Sequence, residues 1–106
     1  MSAAPHLPLT PSELNDALAN LPGWSVVTNQ DAQELHKRFT FESFAPAIAF
    51  MASAVEPIDK LNHHPRWENV WNRLDIYLST HDLGNRISDR DVKLAQLLDG
   101  LYRESR

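Results

Sequence analysis

The chain has 106 residues, of which 42% are hydrophobic, and a formal net charge of −4 at neutral pH. This length suits one small domain with a single core, and the acidic balance without a basic run argues against binding of nucleic acid or of an anionic membrane as the main activity. The chain contains no cysteine, which excludes disulfides and thiolate catalysis and is typical of a cytoplasmic protein.

Residues 1–9, which include two prolines, are predicted to form a flexible N-terminal arm, and residues 10–106 to form the single domain. The start of the chain lacks a basic segment followed by an apolar one, so we expect no secretory signal. No stretch is apolar for long enough to span a bilayer. Together with the absence of cysteine, these features predict a cytoplasmic location.

The first helix is predicted to begin after Thr10. The run Thr10-Pro11-Ser12-Glu13 places threonine at the N-cap, proline at the first helical position and glutamate at the third position of a capping box. The apolar residues that follow at helical spacing are Leu14, Ala17, Leu18 and Leu21. Pro22-Gly23 then ends the helix.

Two short strands are predicted next, at residues 24–28 and 34–39, around a polar turn. In the second strand, apolar and charged side chains alternate so that neither face is purely apolar. This pattern is typical of an edge strand or of a strand with one face in water.

Residues 40–61 are predicted to form the long central helix. The apolar residues at three- and four-residue spacing, which form its predicted core-facing stripe, are Phe44, Ile48, Met51, Val55 and Ile58. With Ser43 as the N-cap, Pro46 falls in the first turn, where a missing amide proton is tolerated. Pro57 is predicted to bend the last turn.

Residues 67–81 are predicted to form a β-hairpin, because apolar and polar residues alternate on either side of Asn72-Arg73. A two-residue turn at Asn72-Arg73 pairs Trp67 with Leu78 and His64 with His81, so that two imidazoles meet at the open end of the hairpin. His63 joins them only if the backbone there is irregular, since neighbouring residues of a strand face opposite sides. Pro65 favours such an irregularity.

The final helix is predicted to begin with a second capping box at Ser88-Asp89-Arg90-Asp91. Its predicted buried residues are Val92, Ala95, Leu98 and either Leu101 or Tyr102. The order of elements is then helix, two strands, helix, two strands, helix, which predicts an α+β, two-layer domain. In it, one four-stranded antiparallel sheet carries the three helices on one face. The other face stays available to solvent, to a ligand or to a second subunit.

Three histidines are the candidates for chemistry: His63, His64 and His81. Adjacent histidines in extended chain diverge, and no neighbouring arrangement supplies the carboxylate or thiolate ligands usual for zinc, which argues against a metal site. No serine stands in an elbow or a triad context, which argues against nucleophilic catalysis. General acid–base catalysis needs only side chains that hold or release a proton near neutral pH. The structural alternative is that one histidine caps the preceding helix and the others hydrogen-bond turn carbonyls.

Several short runs surround these histidines. They are Asp59-Lys60-Leu61-Asn62-His63-His64-Pro65-Arg66-Trp67, Asn69-Val70-Trp71-Asn72, Leu78-Ser79-Thr80-His81 and Ser88-Asp89-Arg90-Asp91 with Leu94-Ala95 behind it, together with Leu21-Pro22-Gly23-Trp24 and Phe39-Thr40-Phe41. They resemble the pterin-4a-carbinolamine dehydratase family over nearly the whole chain from Thr10. The resemblance implies the same α+β fold with four antiparallel strands and three helices.

The resemblance also implies a function and a set of site residues. The activity is dehydration of 4a-hydroxytetrahydropterin to quinonoid dihydropterin in tetrahydrobiopterin recycling, a hydro-lyase reaction in which the pterin is the substrate and no cofactor or metal takes part. His63 and His81 are implied as the proton-transfer pair, and His64 chiefly binds the pterin. The remaining implied substrate-binding residues are Asp91, Trp67 and Asp59, although Asp91 also fits its capping box and Trp67 also fits a core position.

Two further expectations concern partners. The resemblance implies a homodimer or homotetramer, which the free sheet face and the apolar central helix also favour. The acidic charge balance predicts no direct contact with nucleic acid or membrane. The alternative function is a non-catalytic binding or assembly module, since some relatives serve as a dimerisation cofactor of a transcription factor or in enzyme assembly. Retention of all three histidines favours the enzyme.

Overall fold

The computed structural model describes residues 7–105 and has the predicted order of helices and strands. The helices are α1 (Pro11–Leu18), α2 (Phe44–Leu61) and α3 (Asp89–Glu104), and the strands are β1 (Ser25–Asn29), β2 (Ala32–Thr40), β3 (Arg66–Val70) and β4 (Arg73–Leu78). A single turn of 3₁₀ helix, His81–Leu83, lies between β4 and α3. No helix within residues 7–105 is both long and apolar enough to cross a membrane.

The predicted N-terminal arm is described only in part, because residues 1–6 lie outside the described residues. In the remainder, the amide of Leu9 donates a hydrogen bond of 2.9 Å to the carbonyl of Ile87, and the Leu9 side chain packs against the core. The boundary of the domain at residue 10 stays a prediction.

The four strands form one antiparallel sheet in the order β1-β2-β4-β3. Alternate side chains of the two central strands are fully buried beneath the helices: Leu35, Phe39, Leu74, Ile76 and Leu78. This confirms the predicted α+β fold. The second strand was predicted to be either an edge strand or a strand with one face in water. The first alternative was wrong, since β2 is central and β1 and β3 are the edges. His36 and Arg38 lie on the uncovered face, whereas Lys37 lies on the helix side and bonds Asp99 of α3.

The β3–β4 hairpin turns one residue earlier than predicted. Val70 pairs with Arg73 and Trp67 pairs with Ile76, so the turn residues are Trp71 and Asn72. The predicted turn at Asn72-Arg73 and the pairing of Trp67 with Leu78 were therefore wrong. Trp71 adopts a left-handed φ of 52°. The Asn69 side-chain amide donates to the carbonyls of Trp71 at 3.2 Å and Arg73 at 2.9 Å, which holds the turn in this register.

The buried face of α2 differs from the predicted stripe. The residues of α2 that are buried are Ala47, Phe50, Ala54 and Ile58, and Phe50 stacks on Phe39 of the sheet with ring centroids 5.6 Å apart. Phe44, Ile48 and Val55 were predicted to face the core but are 52%, 39% and 50% exposed. Both stripes have helical spacing, and the small alanines let the helix approach its neighbours closely.

Helices α1 and α3 begin at the predicted caps, but α1 ends at Leu18 and not at the predicted Pro22-Gly23. Both predicted capping boxes are present, with Thr10 bonded to Glu13 and Ser88 bonded to Asp91. Helix α2 begins at Phe44 rather than at residue 40, because β2 continues through Thr40. Helix α3 buries Leu94, Ala95 and Leu98, whereas the predicted Val92, Leu101 and Tyr102 are only partly buried.

Candidate active site

The chain leaves α2 through a left-handed residue, Asn62, that directly precedes the two adjacent histidines. Asn62 caps the helix with φ 55° and ψ 42°, and the extended segment that follows sends neighbouring side chains to opposite sides. His63 is consequently 7% exposed, whereas the side chain of His64 is 60% exposed.

His63 forms a buried pair with a carboxylate. Its Nε2 lies 2.6 Å from Oδ1 of Asp91, which is completely buried in the first turn of α3. The other oxygen of Asp91 accepts hydrogen bonds from the Ser88 amide at 2.9 Å and from the Thr80 hydroxyl at 2.8 Å. Since Oδ2 of Asp91 accepts both of these hydrogen bonds, we assign Nε2 of His63 as the donor to Oδ1, which leaves Nδ1 as the ring nitrogen outside this pair.

His64 and His81 line one cavity of about 460 Å³, a volume within the range of small-molecule sites. Nε2 of His64 lies 2.9 Å from Oδ1 of Asp59, and Nδ1 of His81 lies 2.9 Å from Oδ1 of Asn85. Each ring is thus oriented by a hydrogen bond at one of its nitrogens.

The cavity lies at the end of the uncovered sheet face, between β4, β2 and the loops around them. Its lining residues are Asn29, Ala32, Glu34, His64, Pro65, Arg66, Tyr77, Ser79, His81 and Asn85. Within residues 7–105, no three histidine, aspartate or glutamate side chains are close enough to hold a metal ion. The lining includes two imidazoles, His64 and His81, and the carboxylate of Glu34, which are groups that can hold and move protons.

The structure thus brings some predicted site residues together and separates others. His64 and His81 share the cavity, although His81 lies in the 3₁₀ turn beyond β4 and is not the strand partner of His64, as the predicted register had it. His63, which directly precedes His64 in the chain, forms the buried pair with Asp91. Asp59 contacts His64 from the last turn of α2. Trp67 packs against the core on the helix side of β3 and is not among the residues that line the cavity.

The lining residues that were not predicted as site residues include three that contact one another, Glu34, Arg66 and Tyr77. Arg66 donates to Glu34 over 2.9 Å, and its guanidinium lies 3.9 Å from the centre of the Tyr77 ring. The hydrogen bond with Glu34 raises the pKa of Arg66 above its ordinary value. These residues meet because β2 and β3 both pair with β4. Strands β2 and β4 pair although they are not consecutive in the chain. A prediction based only on hairpins between consecutive strands therefore does not place Glu34 near Arg66 and Tyr77.

A second ionic group lies on the same sheet face. Asp75 accepts from Nε2 of His36 at 2.8 Å and from Nε of Arg38 at 3.0 Å. Partial burial alone raises the pKa of Asp75, but the hydrogen bonds from Arg38 and His36 and their positive charges outweigh it, and the pKa is lower than that of an ordinary carboxyl group.

The family model described as pterin 4 alpha carbinolamine dehydratase matches residues 7–101 of the chain. The chain belongs to this family. A relative from Rhizorhabdus wittichii is 46% identical over 94 residues, which covers 89% of this chain and 94% of the relative. A relative from Prochlorococcus marinus is 40% identical over 98 residues, which covers 92% of this chain and 96% of the relative. Both carry the name "Putative pterin-4-alpha-carbinolamine dehydratase".

Solved structures show the same fold. A transcriptional coactivator/pterin dehydratase from Brucella melitensis superposes with a TM-score of 0.82 and 38% identity, covering 91% of this chain and 99% of that one. A pterin dehydratase-like protein, identified as a RuBisCO assembly factor in the alpha-carboxysome, has a TM-score of 0.62 and 23% identity over 76% of this chain and 89% of that one. The second likeness concerns the fold alone.

Proposed function

We propose that this member of the pterin carbinolamine dehydratase family converts 4a-hydroxytetrahydropterin to quinonoid dihydropterin and water, as a step of tetrahydrobiopterin recycling. The observation that carries the proposal is that His64 and His81 line one cavity, next to the buried pair of His63 and Asp91. Family membership supports the substrate class. The cytoplasmic location stays a prediction.

The reaction needs two proton transfers and no change of oxidation state. A protonated imidazole gives its proton to the hydroxyl on C4a, the C4a–O bond breaks and water leaves. A neutral imidazole removes the proton of N5, and the electron pair of that N–H bond forms the C4a=N5 double bond. Histidine suits both roles, because its pKa lies near neutral pH.

The three histidines have different proposed roles. His81 lines the cavity and is proposed to transfer one proton. His63, whose Nδ1 lies outside the pair with Asp91, is proposed to transfer the other. His64 is proposed chiefly to bind the pterin, with Asp59 behind it. Since His63 is not among the lining residues, its role is tested separately from that of His81.

The test is the rate at which freshly generated 4a-hydroxytetrahydropterin is dehydrated, followed by absorbance. We expect the protein to accelerate this reaction over buffer and the His63→Ala/His81→Ala variant to lose the acceleration. His36→Gln is the matched histidine control, because His36 bonds Asp75 outside the lining of the cavity. A folded protein that gives no acceleration would refute the proposal.

The second candidate function is a non-catalytic binding or assembly module. Its support is the apolar surface that the structure leaves exposed, which includes Phe44 and Val55 on α2 and Trp71 at the tip of the β3–β4 hairpin, 64% exposed. Absence of dehydratase activity in the folded protein would favour this function over the enzyme. We also propose that the chain forms a homo-oligomer.

A further inference from the structure

One wall of the cavity carries a carboxylate that the three histidines do not explain. Glu34 lies on β2 and is 8% exposed, and a glutamate is rarely so buried unless it is paired. Its Oε1 accepts a hydrogen bond of 2.9 Å from Nη2 of Arg66, which lines the same cavity. An acceptor and a cationic donor thus stand side by side in the wall.

This pair is held in place before any ligand arrives. Arg66 is bonded to Glu68 through Nη1 at 2.9 Å, and its guanidinium lies over Tyr77. These residues stand on three neighbouring strands of one sheet. Polar groups fixed on rigid strands lose little conformational freedom on binding, which makes them efficient recognition groups.

A side-by-side acceptor and donor match one edge of a pterin. The pyrimidine ring of a pterin carries a 2-amino group and an N3–H, which are adjacent donors, followed by the 4-oxo acceptor. We propose that Glu34 accepts the hydrogen bonds of the 2-amino group and N3–H, and that Arg66 donates to the 4-oxo group. This inference rests on the proposed function for its ligand class, and it adds the two residues that recognise the ring.

The assignment also orients the reacting carbon. C4a is bonded to the carbon that carries the 4-oxo group, so an anchored amino-oxo edge fixes C4a within the cavity that His64 and His81 line. Glu34 and Arg66 act on binding and do not touch C4a or N5. Their loss therefore raises KM more than it lowers kcat.

The test compares two fluorescent probes, 2-amino-4-oxopteridine and 2,4-dioxopteridine, which share the N3–H and the 4-oxo group but carry a donor and an acceptor, respectively, at position 2; N1 carries a proton only in the dioxo probe. We expect the wild-type protein to bind the 2-amino probe at least about tenfold more tightly, because the dioxo probe places an acceptor against the carboxylate. Glu34→Gln introduces an amide donor and is expected to abolish or invert this preference. The matched control is Glu68→Gln, which contacts the same Arg66 but is 60% exposed and outside the cavity lining, and which is expected to keep the preference.

A second variant covers a folding failure of Glu34→Gln. Arg66→Gln is expected to weaken both probes by a similar factor, of about tenfold, because both carry the 4-oxo group. A wild-type preference ratio in Glu34→Gln, or unchanged affinities in Arg66→Gln, would overturn the inference, as would a wild-type protein that binds neither probe.

The binding and dehydration measurements separate the two proposals. A changed preference in Glu34→Gln together with a wild-type protein that does not accelerate dehydration would sustain the recognition site and refute the proposed reaction. Acceleration by the wild type, with the same KM in Glu34→Gln, would sustain the reaction and refute the recognition site.

Discussion

Asp91 shows how one side chain serves both the fold and the candidate site. One of its oxygens closes the capping box of α3 and accepts the hydroxyl of Thr80, and the other accepts Nε2 of His63. The capping and site roles that the sequence left as alternatives for Asp91 are compatible in one geometry. The capping box could be predicted, because its residues are three apart in the chain. The contact with His63 could not, because it spans 28 residues.

Asp91→Asn tests whether this carboxylate fixes the His63 ring. The side-chain oxygen of asparagine can still cap the helix. Its side-chain amide nitrogen can then donate to Nε2 of His63, so that the ring proton moves to Nδ1 and Nε2 becomes the acceptor. We expect kcat for dehydration to fall by about 10² or more and the acidic or basic limb of the pH–rate profile to shift. Thr80→Val is the control, since it removes a different hydrogen bond of the same carboxylate; it is expected to lower stability and to keep most of the turnover. Equal kinetic effects of the two variants would assign Asp91 a purely structural role.

Single substitutions of the three histidines distinguish a role in pterin binding from a role in proton transfer. His64→Ala is expected mainly to raise KM, because His64 is an exposed wall residue of the cavity. His63→Ala and His81→Ala are each expected to lower kcat by about 10² to 10⁴ if they act as general acid and base. Steady-state kinetics on the three purified variants check this, with circular dichroism to establish that each is folded. Wild-type kcat in both His63→Ala and His81→Ala would contradict the assigned roles.

At the scale of elements, the helix caps were the most predictable features and the buried face of α2 was the least. A capping box is a local hydrogen-bond pattern, so the four residues that form it carry all of the information. The core-facing stripe of α2 depends on what packs against it. The helix has two apolar stripes with the same helical spacing. Ala47 and Ala54 face the core and Ile48 and Val55 face outward. This orientation depends on how closely other elements pack against the helix, and the sequence of the helix alone does not contain that information.

The two capping boxes give a matched comparison of the same motif in two environments. Thr10 is exposed, whereas Ser88 is completely buried and also bonds the Thr80 hydroxyl. We expect Thr10→Ala to lower the free energy of unfolding by about 1 kcal/mol. Ser88→Ala is expected to lower it by about 2 kcal/mol or more, because this substitution also removes a hydrogen-bond partner of the buried Thr80 hydroxyl. Urea unfolding of the two variants measures the difference. A larger loss for Thr10→Ala would contradict the role assigned to burial.

The ionic group on the uncovered sheet face predicts a pH dependence of stability. A carboxyl group whose pKa is lower in the folded than in the unfolded chain, as for Asp75, stabilises the fold above its unfolded pKa of about 4 and loses that effect as the pH falls through its folded pKa. Asp75→Asn is therefore expected to lower the melting temperature by a few degrees at pH 7, and its difference from the wild type is expected to shrink as the pH falls below about 4. Asp82→Asn, whose side chain is 85% exposed, is the control expected to change little over the same pH range. A difference between Asp75→Asn and the wild type that stays constant as the pH is lowered would contradict this account.

On the scale of the whole molecule, the two outer surfaces have opposite character. The uncovered sheet face carries the cavity and two groups of paired charges, around Asp75 and around Arg66. The outer side of α2 instead presents Phe44, Ile48 and Val55. Burial of paired charges in an interface costs desolvation, whereas burial of an apolar stripe is favourable. Of the two surfaces that the sequence left open for self-association, the structure favours α2.

We expect the chain to self-associate through this stripe on α2, with the same residues of each copy in contact, as in an isologous dimer or a bundle built from such dimers. Light scattering at micromolar concentration should then give a multiple of 12.1 kDa for the wild type. The Ile48→Glu/Val55→Glu variant should be a monomer, because each substitution places a charge in the centre of the interface. Arg38→Ala, on the sheet face, is the control that should keep the wild-type mass. A monomeric wild type would refute self-association. Dissociation by Arg38→Ala but not by the α2 variant would instead place the interface on the sheet face.

The cavity lies on the sheet face, whereas the apolar stripe lies on the helical layer. The monomeric Ile48→Glu/Val55→Glu variant, if folded, should therefore keep the wild-type affinity for the 2-amino probe. This measurement distinguishes an effect on assembly from an effect on ligand binding.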